Sequence, residues 1–389
     1  MSVYELGRVP RIVSGQAALS ALLAAVDGLA SSGAVLIVDE AVALTGYASR
    51  VANVLRDMPV VQHVVPAGEP TVATVNAAAD AVRGLPDAVV VGVGGGSALD
   101  TAKQAAVVAA GLAGVEHYLL CAHPFEGRRP IIAIPTTSGT GAEVTRTCIL
   151  SDAEGRKLWT WGDEMLPDVV LLDPSAAVTM PMHVTAATGL DAFVHALEAS
   201  SAQRRNGLSG APATQALRLV REHLPIAVAN PGDLAARQGM QEAALLAGTA
   251  IDNCGTGIAH SIGHALGSLY HLPHGVAVAV GLDAAIEWNV DGAPDAYTTA
   301  ASALGTSVAD VPKVLRDLFT ASRFPTVLAR MPDLDLDART IADVMIAVEN
   351  QPMVANNSRV PDDDERLMLA SLTVDSWRRL RAEAVAVAV

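Results

Sequence analysis

The stretch from Ala88 to Lys103 reads AVVVGVGGGSALDTAK, an apolar run followed by a cluster of glycines and the beginning of a helix. Glycines let backbone N–H groups approach a pyrophosphate closely, and the N-terminus of the following helix favours its negative charge. A tight turn that binds no ligand uses glycines in the same way. No Lys-Ser or Lys-Thr pair closes the loop, so a P-loop NTPase is disfavoured.

The residues on either side of this stretch predict the fold class. Short Val- and Ile-rich runs alternate with Ala-rich helical stretches, at Val35–Val38, Val60–Val65, Ala88–Val93, Ile131–Ile134 and Val169–Leu172. Near-continuous apolar strands separated by helices are typical of a parallel sheet covered on both faces. Beyond Pro174 the spacing is helical, as at Ala187–Ala202, Pro212–Ala229, Asp233–Ile251, Val311–Ala321 and Asp363–Ala382. We therefore predict an α/β, Rossmann-like dinucleotide-binding domain at residues 1–178 and an all-helical domain at residues 179–389.

A second loop, from Pro135 to Thr145, follows the run Ile131–Ile134 and combines hydroxyls with glycines. Its side chains suit contacts with phosphate, ribose or the nicotinamide amide, although a plain turn with helix capping has the same composition. Two such loops at the carboxyl ends of neighbouring parallel strands lie where open α/β sheets bind ligands. The predicted cofactor-binding residues of the two loops are Gly94, Gly95, Gly96, Ser97, Asp100, Thr136, Thr137 and Thr140.

Asp39 stands directly after the apolar run Val35–Val38. An acidic residue at the end of a strand can bond a ribose 2′-hydroxyl and repels a 2′-phosphate. This reading favours NAD(H) over NADP(H). A helix cap explains Asp39 equally well.

The charge balance argues against several partners. The 389 residues carry 26 Lys and Arg against 41 Asp and Glu, a formal net charge of −15. An acidic surface repels phosphate backbones and anionic lipids, so we expect no nucleic-acid and no membrane partner. No apolar run reaches the ~18 residues of a membrane span, and charged residues interrupt any secretory signal near the start. The three cysteines form no CxxC pair, so we expect a cytoplasmic protein without a disulfide framework.

Five side chains of the second half form a candidate metal site. His260 and His264 share one face of a helical stretch, and the turn at Pro273 can bring His274 back towards them. Upstream, Asp191 and His195 are four residues apart on another apolar helix, where burying them unpaired would cost a few kcal/mol. Hydrogen-bonded or exposed imidazoles are the alternative. One carboxylate with imidazoles and no thiolate suits iron(II), zinc, cobalt or manganese.

Taken in order, these motifs resemble the iron-containing, group III alcohol dehydrogenase family over nearly the whole chain. The segments that carry the resemblance are Pro10-Arg11-Ile12 with Gly15, Gly94-Gly95-Gly96-Ser97 with Asp100 and Lys103, Pro135-Thr136-Thr137 with Gly139-Thr140-Gly141 and Glu143, Leu172-Asp173-Pro174, Asp191 with His195, His260, His264, and His274-Gly275. In the wider superfamily, the lack of a basic Asp-Ser-x-x-Gly-Gly-Lys signature argues against dehydroquinate synthases. The complete set of one Asp and three His argues against maleylacetate reductases.

The resemblance implies a dehydroquinate synthase-like fold with a metal in the helical domain. It implies that Asp191, His195, His260 and His274 ligate the metal, with Fe²⁺ favoured and Zn²⁺ as the second choice. His264 and Lys157 are implied to lie near the nicotinamide as catalytic residues. A homodimer or larger homo-oligomer is implied as well.

The expected activity is reversible hydride transfer between NAD(H) and a small primary alcohol or aldehyde. One alternative is a reductase of an anionic aldehyde of the semialdehyde, phosphonoacetaldehyde or maleylacetate type, with Arg146, Arg156 and Lys157 offsetting the charge. Another is a metal- and nucleotide-binding paralogue without activity, although the presence of every expected ligand speaks against it.

Overall fold

A computed structural model describes Tyr4 and residues 6–387 of the chain. They form two compact units, one from Gly7 to Met180 and one that begins at Pro181. The combination of an α/β unit built on a parallel sheet with a helical unit confirms the predicted fold class. Among the described residues, no helix is long and apolar enough to cross a membrane.

In the first unit, strands and helices alternate along most of the chain. They are β1 (Arg11–Ser14), α1 (Leu22–Gly28), β2 (Gly33–Asp39), α2 (Glu40–Ala43), α3 (Tyr47–Val54), β3 (Val60–Val65), α4 (Val72–Arg83), β4 (Ala88–Gly94), α5 (Gly96–Val108), β5 (Ile131–Pro135), β6 (Thr147–Ser151), β7 (Lys157–Trp161) and β8 (Val169–Leu172). Six strands form one parallel sheet in the order β1-β8-β5-β4-β2-β3.

The central strands are almost continuously apolar because both faces of the sheet are covered. On β2, Leu36 and Val38 pack into the core on one face, while Val35 and Ile37 pack into the core on the other. A strand that is buried on both faces loses the polar alternation of a half-exposed strand. This is why the sequence pattern of the central sheet is easy to recognise.

Two of the strands, β1 and β6, were not predicted from the sequence. β1 pairs with β8 at the edge of the sheet, and most of its residues are exposed, so it lacks a continuous apolar run. β6 and β7 form a separate antiparallel pair in the loop region between β5 and β8. The residues of β6 alternate between half-buried and buried, which gives only the weaker period-2 signal, and β7 lacks this alternation.

The second unit consists of helices and short turns. Its helices are α6 (Met182–Ser201), α7 (Gly207–Ala229), α8 (Leu234–Cys254), α9 (Ile258–Tyr270), α10 (His274–Gly292), α11 (Thr298–Leu304), α12 (Val311–Ala321), α13 (Phe324–Leu328), α14 (Ala338–Met345), α15 (Gln351–Asn356) and α16 (Asp363–Val387). α6 packs against α7, α8 and α10, and nearly all its residues from Thr185 onwards are buried.

The start of α7 differs from the sequence-based expectation. The helical spacing of apolar residues predicts a helix from Pro212. The structure begins α7 at Gly207, since Asn206 and Ser209 form a reciprocal capping box one turn earlier. The polar cap therefore sets the start of α7.

Candidate functional site

Four side chains of the second unit converge at one place. The Oδ1 atom of Asp191 lies 3.7 Å from Nε2 of His195, 3.9 Å from Nε2 of His260 and 3.6 Å from Nε2 of His274. The four ligand atoms all lie within 4.8 Å of one another. Nitrogen and oxygen ligands at ~2.1 Å from a tetrahedral ion are about 3.4 Å apart, so a modest contraction would bring these atoms to coordination distance.

Three helices supply this cluster. Asp191 and His195 lie one turn apart on α6, His260 lies in the first turn of α9, and His274 is the first residue of α10. Pro273 caps the start of α10, so the predicted turn does return the chain towards the other histidines. His264, one turn beyond His260, is outside the converging group.

The electrostatics of the cluster match a cation. Burial is the main cause that raises the pKa of Asp191 to about 7. Within the described part of the chain, neither Oδ1 of Asp191 nor Nε2 of His260 has a hydrogen-bond partner, and both atoms are buried. Leaving such atoms without a partner is costly. A divalent ion bound by one carboxylate and three imidazoles would satisfy both atoms, so the residues present fit the expected metal.

Glu198 adjoins the cluster and was not singled out in the sequence. Its Oε2 atom lies 2.6 Å from Nδ1 of His260. Burial lowers the pKa of His260, but the carboxylates of Glu198 and Asp191 outweigh burial and raise that pKa above its ordinary value. Glu198 follows Asp191 by seven residues on α6, so the helical periodicity alone places it on the same face.

His264 has its own polar partner. Its Nδ1 atom lies 3.1 Å from Oδ1 of Asn350, and the amide nitrogen of Asn350 donates to the carbonyl of Val344 at 2.9 Å. The ring centroids of His264 and His274 are 5.7 Å apart. His264 therefore lies beside the converging group with one ring nitrogen oriented by Asn350. Nothing in the sequence pattern around Asn350 indicated this contact.

The two predicted nucleotide loops of the first unit contact each other. Gly94 ends β4 opposite Pro135 of β5, so the loops leave neighbouring strands at the same edge of the sheet. A Cβ atom added at Gly95 would lie 3.1 Å from Cγ2 of Thr137, and one added at Gly96 would lie 2.8 Å from Cγ2 of Thr140. The side chains of the second loop thus lie directly over the glycines.

Thr136 and Ser97 lie at the same junction. The backbone N–H of Thr136 donates to the carbonyl of Gly94 at 2.9 Å. Ser97 lies in the first turn of α5, whose N-cap, Gly95, provides no side-chain acceptor. The first N–H groups of α5 therefore receive no side-chain cap from their own N-cap residue, as expected for a helix end that meets an anion.

Asp39 caps α2. Its carboxylate accepts from the backbone N–H groups of Ala41 at 2.8 Å and Val42 at 3.4 Å. The helix-cap explanation of Asp39 is therefore correct for this structure. Asp39 also lies against the glycine loop, because a Cβ atom added at Gly94 would lie 2.7 Å from its Cβ. The cap leaves the ribose interpretation open, since a carboxylate has capacity for further donors.

Asp100 directs its carboxylate into the first unit. Its Oδ2 atom accepts from the backbone N–H of Ile149 at 2.9 Å, and its Oδ1 atom lies 3.3 Å from Nζ of the buried Lys103. Both carboxylate oxygens thus have partners in the protein. This arrangement suits a residue that supports the loops more than one that contacts a cofactor directly.

The three cations considered for an anionic substrate all pair with carboxylates. Lys157 begins β7 with its Nζ atom 3.1 Å from Oε2 of Glu69. Nη1 of Arg146 lies 3.3 Å from Oδ1 of Asp163. Nη2 of Arg156 lies 2.7 Å from Oδ2 of Asp152. None of these pairs favours an anionic substrate, and the nicotinamide contact of Lys157 stays a prediction.

Comparison with known proteins gives matches over both units. Residues 10–174 match the family described as iron-containing alcohol dehydrogenase, and residues 185–370 match the C-terminal part described for the same family. An NAD-dependent methanol dehydrogenase from Bacillus methanolicus is 32% identical over 302 residues, covering 77% of this chain and 79% of the relative. A sulfoacetaldehyde reductase from Bilophila wadsworthia is 31% identical over 378 residues, covering 93% of this chain and 96% of the relative.

Other curated relatives match over a shorter part, and the chain spans 57% of the length of one that is 40% identical. Among solved structures, an iron-containing alcohol dehydrogenase from Thermococcus thioreducens superposes with a TM-score of 0.85 at 27% identity. That match covers 96% of this chain and 100% of the other.

Proposed function

The chain belongs to the iron-containing alcohol dehydrogenase family, and on that premise we propose that it is a metal-dependent, NAD(H)-linked alcohol dehydrogenase. In the proposed reaction, a small primary alcohol and NAD⁺ give the aldehyde, NADH and a proton, and the reverse reaction reduces the aldehyde. The observation that carries the proposal is the convergence of Asp191, His195, His260 and His274 within 4.8 Å.

These four residues would hold the metal. A divalent ion bound there, with Fe²⁺ favoured over Zn²⁺, would act as a Lewis acid on the substrate oxygen. Asp191 supplies the negative charge of the ligand set, and the histidines supply neutral nitrogen donors. Because Asp191 and His195 come from one buried helix, their spacing is held by the core of the second unit.

The residues of the glycine and hydroxyl loops would bind the dinucleotide. The N-terminus of α5, whose N-cap residue is a glycine, would supply backbone donors for the pyrophosphate, and Thr136, Thr137 and Thr140 would supply hydroxyls. Asp39 lies beside Gly94, where a carboxylate disfavours the 2′-phosphate of NADP. The name of the methanol dehydrogenase relative, which is NAD-dependent, supports the same preference.

His264 would move the proton of the alcohol. Asn350 orients Nδ1 of His264, and Nε2 would be the proton-transferring atom. Imidazole titrates near neutral pH, so it can both accept and return that proton. Lys157 is proposed as a nicotinamide contact on the strength of the family resemblance alone.

We propose neutral short aldehydes as the substrate class, because Arg146, Arg156 and Lys157 are each paired with a carboxylate.

The family resemblance supports a homodimer or larger homo-oligomer. A cytoplasmic location fits the cysteines Cys121, Cys148 and Cys254, which are all free thiols. Size-exclusion chromatography with light scattering tests the assembly.

The direct test is metal analysis of protein purified without oxygen and without added metal, together with NADH oxidation by an aldehyde panel. We expect about one metal per chain, activity lost on chelation, and activity restored by iron(II) or zinc. Chelator-insensitive turnover without bound metal would contradict the metal assignment.

Neutral aldehydes and sulfonate or phosphonate aldehydes of equal length belong in the same panel. A preference for the anionic aldehydes would overturn the proposed substrate class.

A further inference from the structure

We propose that Glu198 is a positioning residue that fixes the His260 ring with a proton on Nδ1 and a free electron pair on Nε2. The inference rests on the proposed metal site, because an imidazole can ligate an ion only through a deprotonated nitrogen. Oε2 of Glu198 lies 2.6 Å from Nδ1, on the side of the ring opposite Asp191. A carboxylate only accepts hydrogen bonds, so the shared proton belongs to Nδ1.

Two backbone donors hold the carboxylate in place. Oε2 of Glu198 accepts from the N–H of Gly257 at 2.9 Å, and Oε1 accepts from the N–H of Ala259 at 2.8 Å. With the ring of His260, Glu198 therefore receives three donors while it is almost fully buried. Backbone N–H groups can only donate, so the carboxylate is held as the acceptor in all three contacts.

The close approach of Glu198 depends on Gly257. A Cβ atom at residue 257 would lie 3.0 Å from Oε1 of Glu198 and 2.8 Å from Oδ1 of Asn357. Asn357 Oδ1 accepts from the N–H of Ile258 at 3.2 Å. The N-terminus of α9, which has no cap from its own N-cap residue, is thus capped by two side chains from distant parts of the sequence.

Glu198 also links the ligands to each other. α6 carries Asp191 and His195, and two turns after Asp191 it carries the carboxylate that orients His260 on α9. One helix therefore carries two of the proposed ligands and orients the ring of a third, His260. Carboxylates that orient metal-binding histidines in this way fix the ring and raise its basicity.

The competing explanation is that Glu198 only caps α9. The two explanations differ in what they predict for Glu198→Gln and for Asn357→Ala. Both changes remove a cap from the same helix end, but only Glu198 contacts the ring of His260. The amide of a glutamine can donate to Nδ1 and so favours a proton on Nε2, which blocks ligation.

The first experiment measures zinc affinity of the full chain by competition with a chromophoric chelator. We expect Glu198→Gln to bind zinc about 10- to 100-fold more weakly than the unchanged chain. Asn357→Ala should lower the thermal unfolding temperature and leave zinc affinity within about threefold, because the side chain of Asn357 bonds to Ile258, Asn289 and Arg359 and to none of the proposed ligands. Equal affinity losses in the two variants, or unchanged affinity in Glu198→Gln, would overturn the proposal.

The second experiment is independent of metal binding and of the folding of any Glu198 variant. Nitrogen-15 NMR of the histidine-labelled, metal-free chain at alkaline pH reports which ring nitrogen of His260 carries the proton. His260 is assigned by the signal that disappears in His260→Ala. We expect the Nδ1–H form, whereas an unconstrained imidazole favours Nε2–H, and an Nε2–H signal would refute the proposal. A chain that binds no zinc but shows Nδ1–H would contradict the proposed function and leave the role of Glu198 supported.

Discussion

The ammonium nitrogen of Lys103 lies 2.9 Å from the carbonyl oxygen of Ala142, with the lysine side chain almost fully buried. The same nitrogen lies 3.1 Å from the carbonyl of Thr147 and 3.3 Å from Oδ1 of Asp100. Lys103 is on α5, the helix that follows the glycine loop, and its two carbonyl partners flank the end of the hydroxyl loop. A single buried cation therefore fastens the two predicted nucleotide loops together.

Lys103→Met should destabilise the protein and weaken NADH binding. The change leaves a largely buried carboxylate and two carbonyls without their donor, and losing one partner of a buried ion pair costs about 3 kcal/mol. Thermal unfolding and NADH fluorescence titration measure the two effects. Lys313→Met is the matched control, because Lys313 pairs with Asp317 on the exposed surface. If the two variants have the same unfolding temperature and NADH affinity, Lys103 does not fasten the loops.

The sequence revealed the parts of the fold whose pattern is set by burial on both faces. Strands such as Val35–Val38 are continuously apolar because helices cover the sheet on each side. The edge strand Arg11–Ser14 is mostly exposed, so its residues carry no such signal. Helix starts such as Gly207 depend on a polar cap, which a search for apolar periodicity overlooks.

In the candidate site, too, the contacts within one helix could be predicted from the sequence, and the contacts between distant segments could not. Asp191 and His195 are one helical turn apart, so spacing alone predicted that they share a face. Spacing alone could not show which of His260 and His264 joins the cluster. In the structure, His260 and not His264 belongs to the four residues whose ligand atoms converge. Asn350 contacts His264 from 86 residues away, and no local pattern predicts such a contact.

Asp39 gives a test of cofactor preference. Asp39→Asn keeps an acceptor for the N–H groups of Ala41 and Val42 but removes the negative charge. Repulsion between a carboxylate and a nearby phosphate is worth about 1–2 kcal/mol in a water-like environment, so the ratio of kcat/KM for NADP to that for NAD should rise about tenfold. Asp39→Gly should give a similar ratio, since glycine replaces a cap at a cost of a few tenths of a kcal/mol. An unchanged ratio in both variants means that Asp39 does not select the cofactor.

Glu143 should make stability depend on pH. Burial is the main cause that raises the pKa of Glu143 from 4.5 to about 7, and Lys103 opposes the rise. Because the folded pKa lies above the unfolded one, the neutral carboxyl contributes stability fully below pH 4.5, and this contribution is lost as the pH rises to about 7. The loss amounts to about 3 kcal/mol at most.

Glu143→Gln removes this titration. The unfolding temperature of the variant relative to the unchanged chain should therefore rise between pH 5 and pH 7 and stay level at higher pH. Thermal unfolding at pH 5, 6, 7 and 8 measures the difference. Glu154→Gln, at an exposed position, is the control and should show no such trend. A constant difference across this range would mean that Glu143 is ionised in the folded protein throughout.

Replacing His264 should affect turnover, whereas replacing His260 should affect metal binding. His264→Ala should retain bound metal and lose about 10²- to 10⁴-fold in turnover, the usual contribution of a positioned acid–base group. His260→Ala should lose the metal itself, because it removes one of the four converging nitrogen and oxygen atoms. Metal analysis beside steady-state turnover separates the two results. Normal turnover in His264→Ala would remove His264 from the proposed proton transfer.

Replacing Gly94 tests whether the glycine loop requires a residue without a side chain at this position. A Cβ atom at residue 94 would lie 2.6 Å from Cβ of Ala98 and 2.7 Å from Cβ of Asp39, and neither atom can rotate away because each is fixed to the backbone. Gly94→Ala must therefore displace α5 or α2, at a cost of about 1–3 kcal/mol for overpacking. Since α5 begins at the glycine loop and α2 begins beside it, the dissociation constant of NADH should rise together with a fall in unfolding temperature. Gly28→Ala at the end of α1 is the control, since no heavy atom lies within 4 Å of its added Cβ, and it should bind NADH normally. Normal NADH binding by a destabilised Gly94→Ala would show that the close approach serves packing alone.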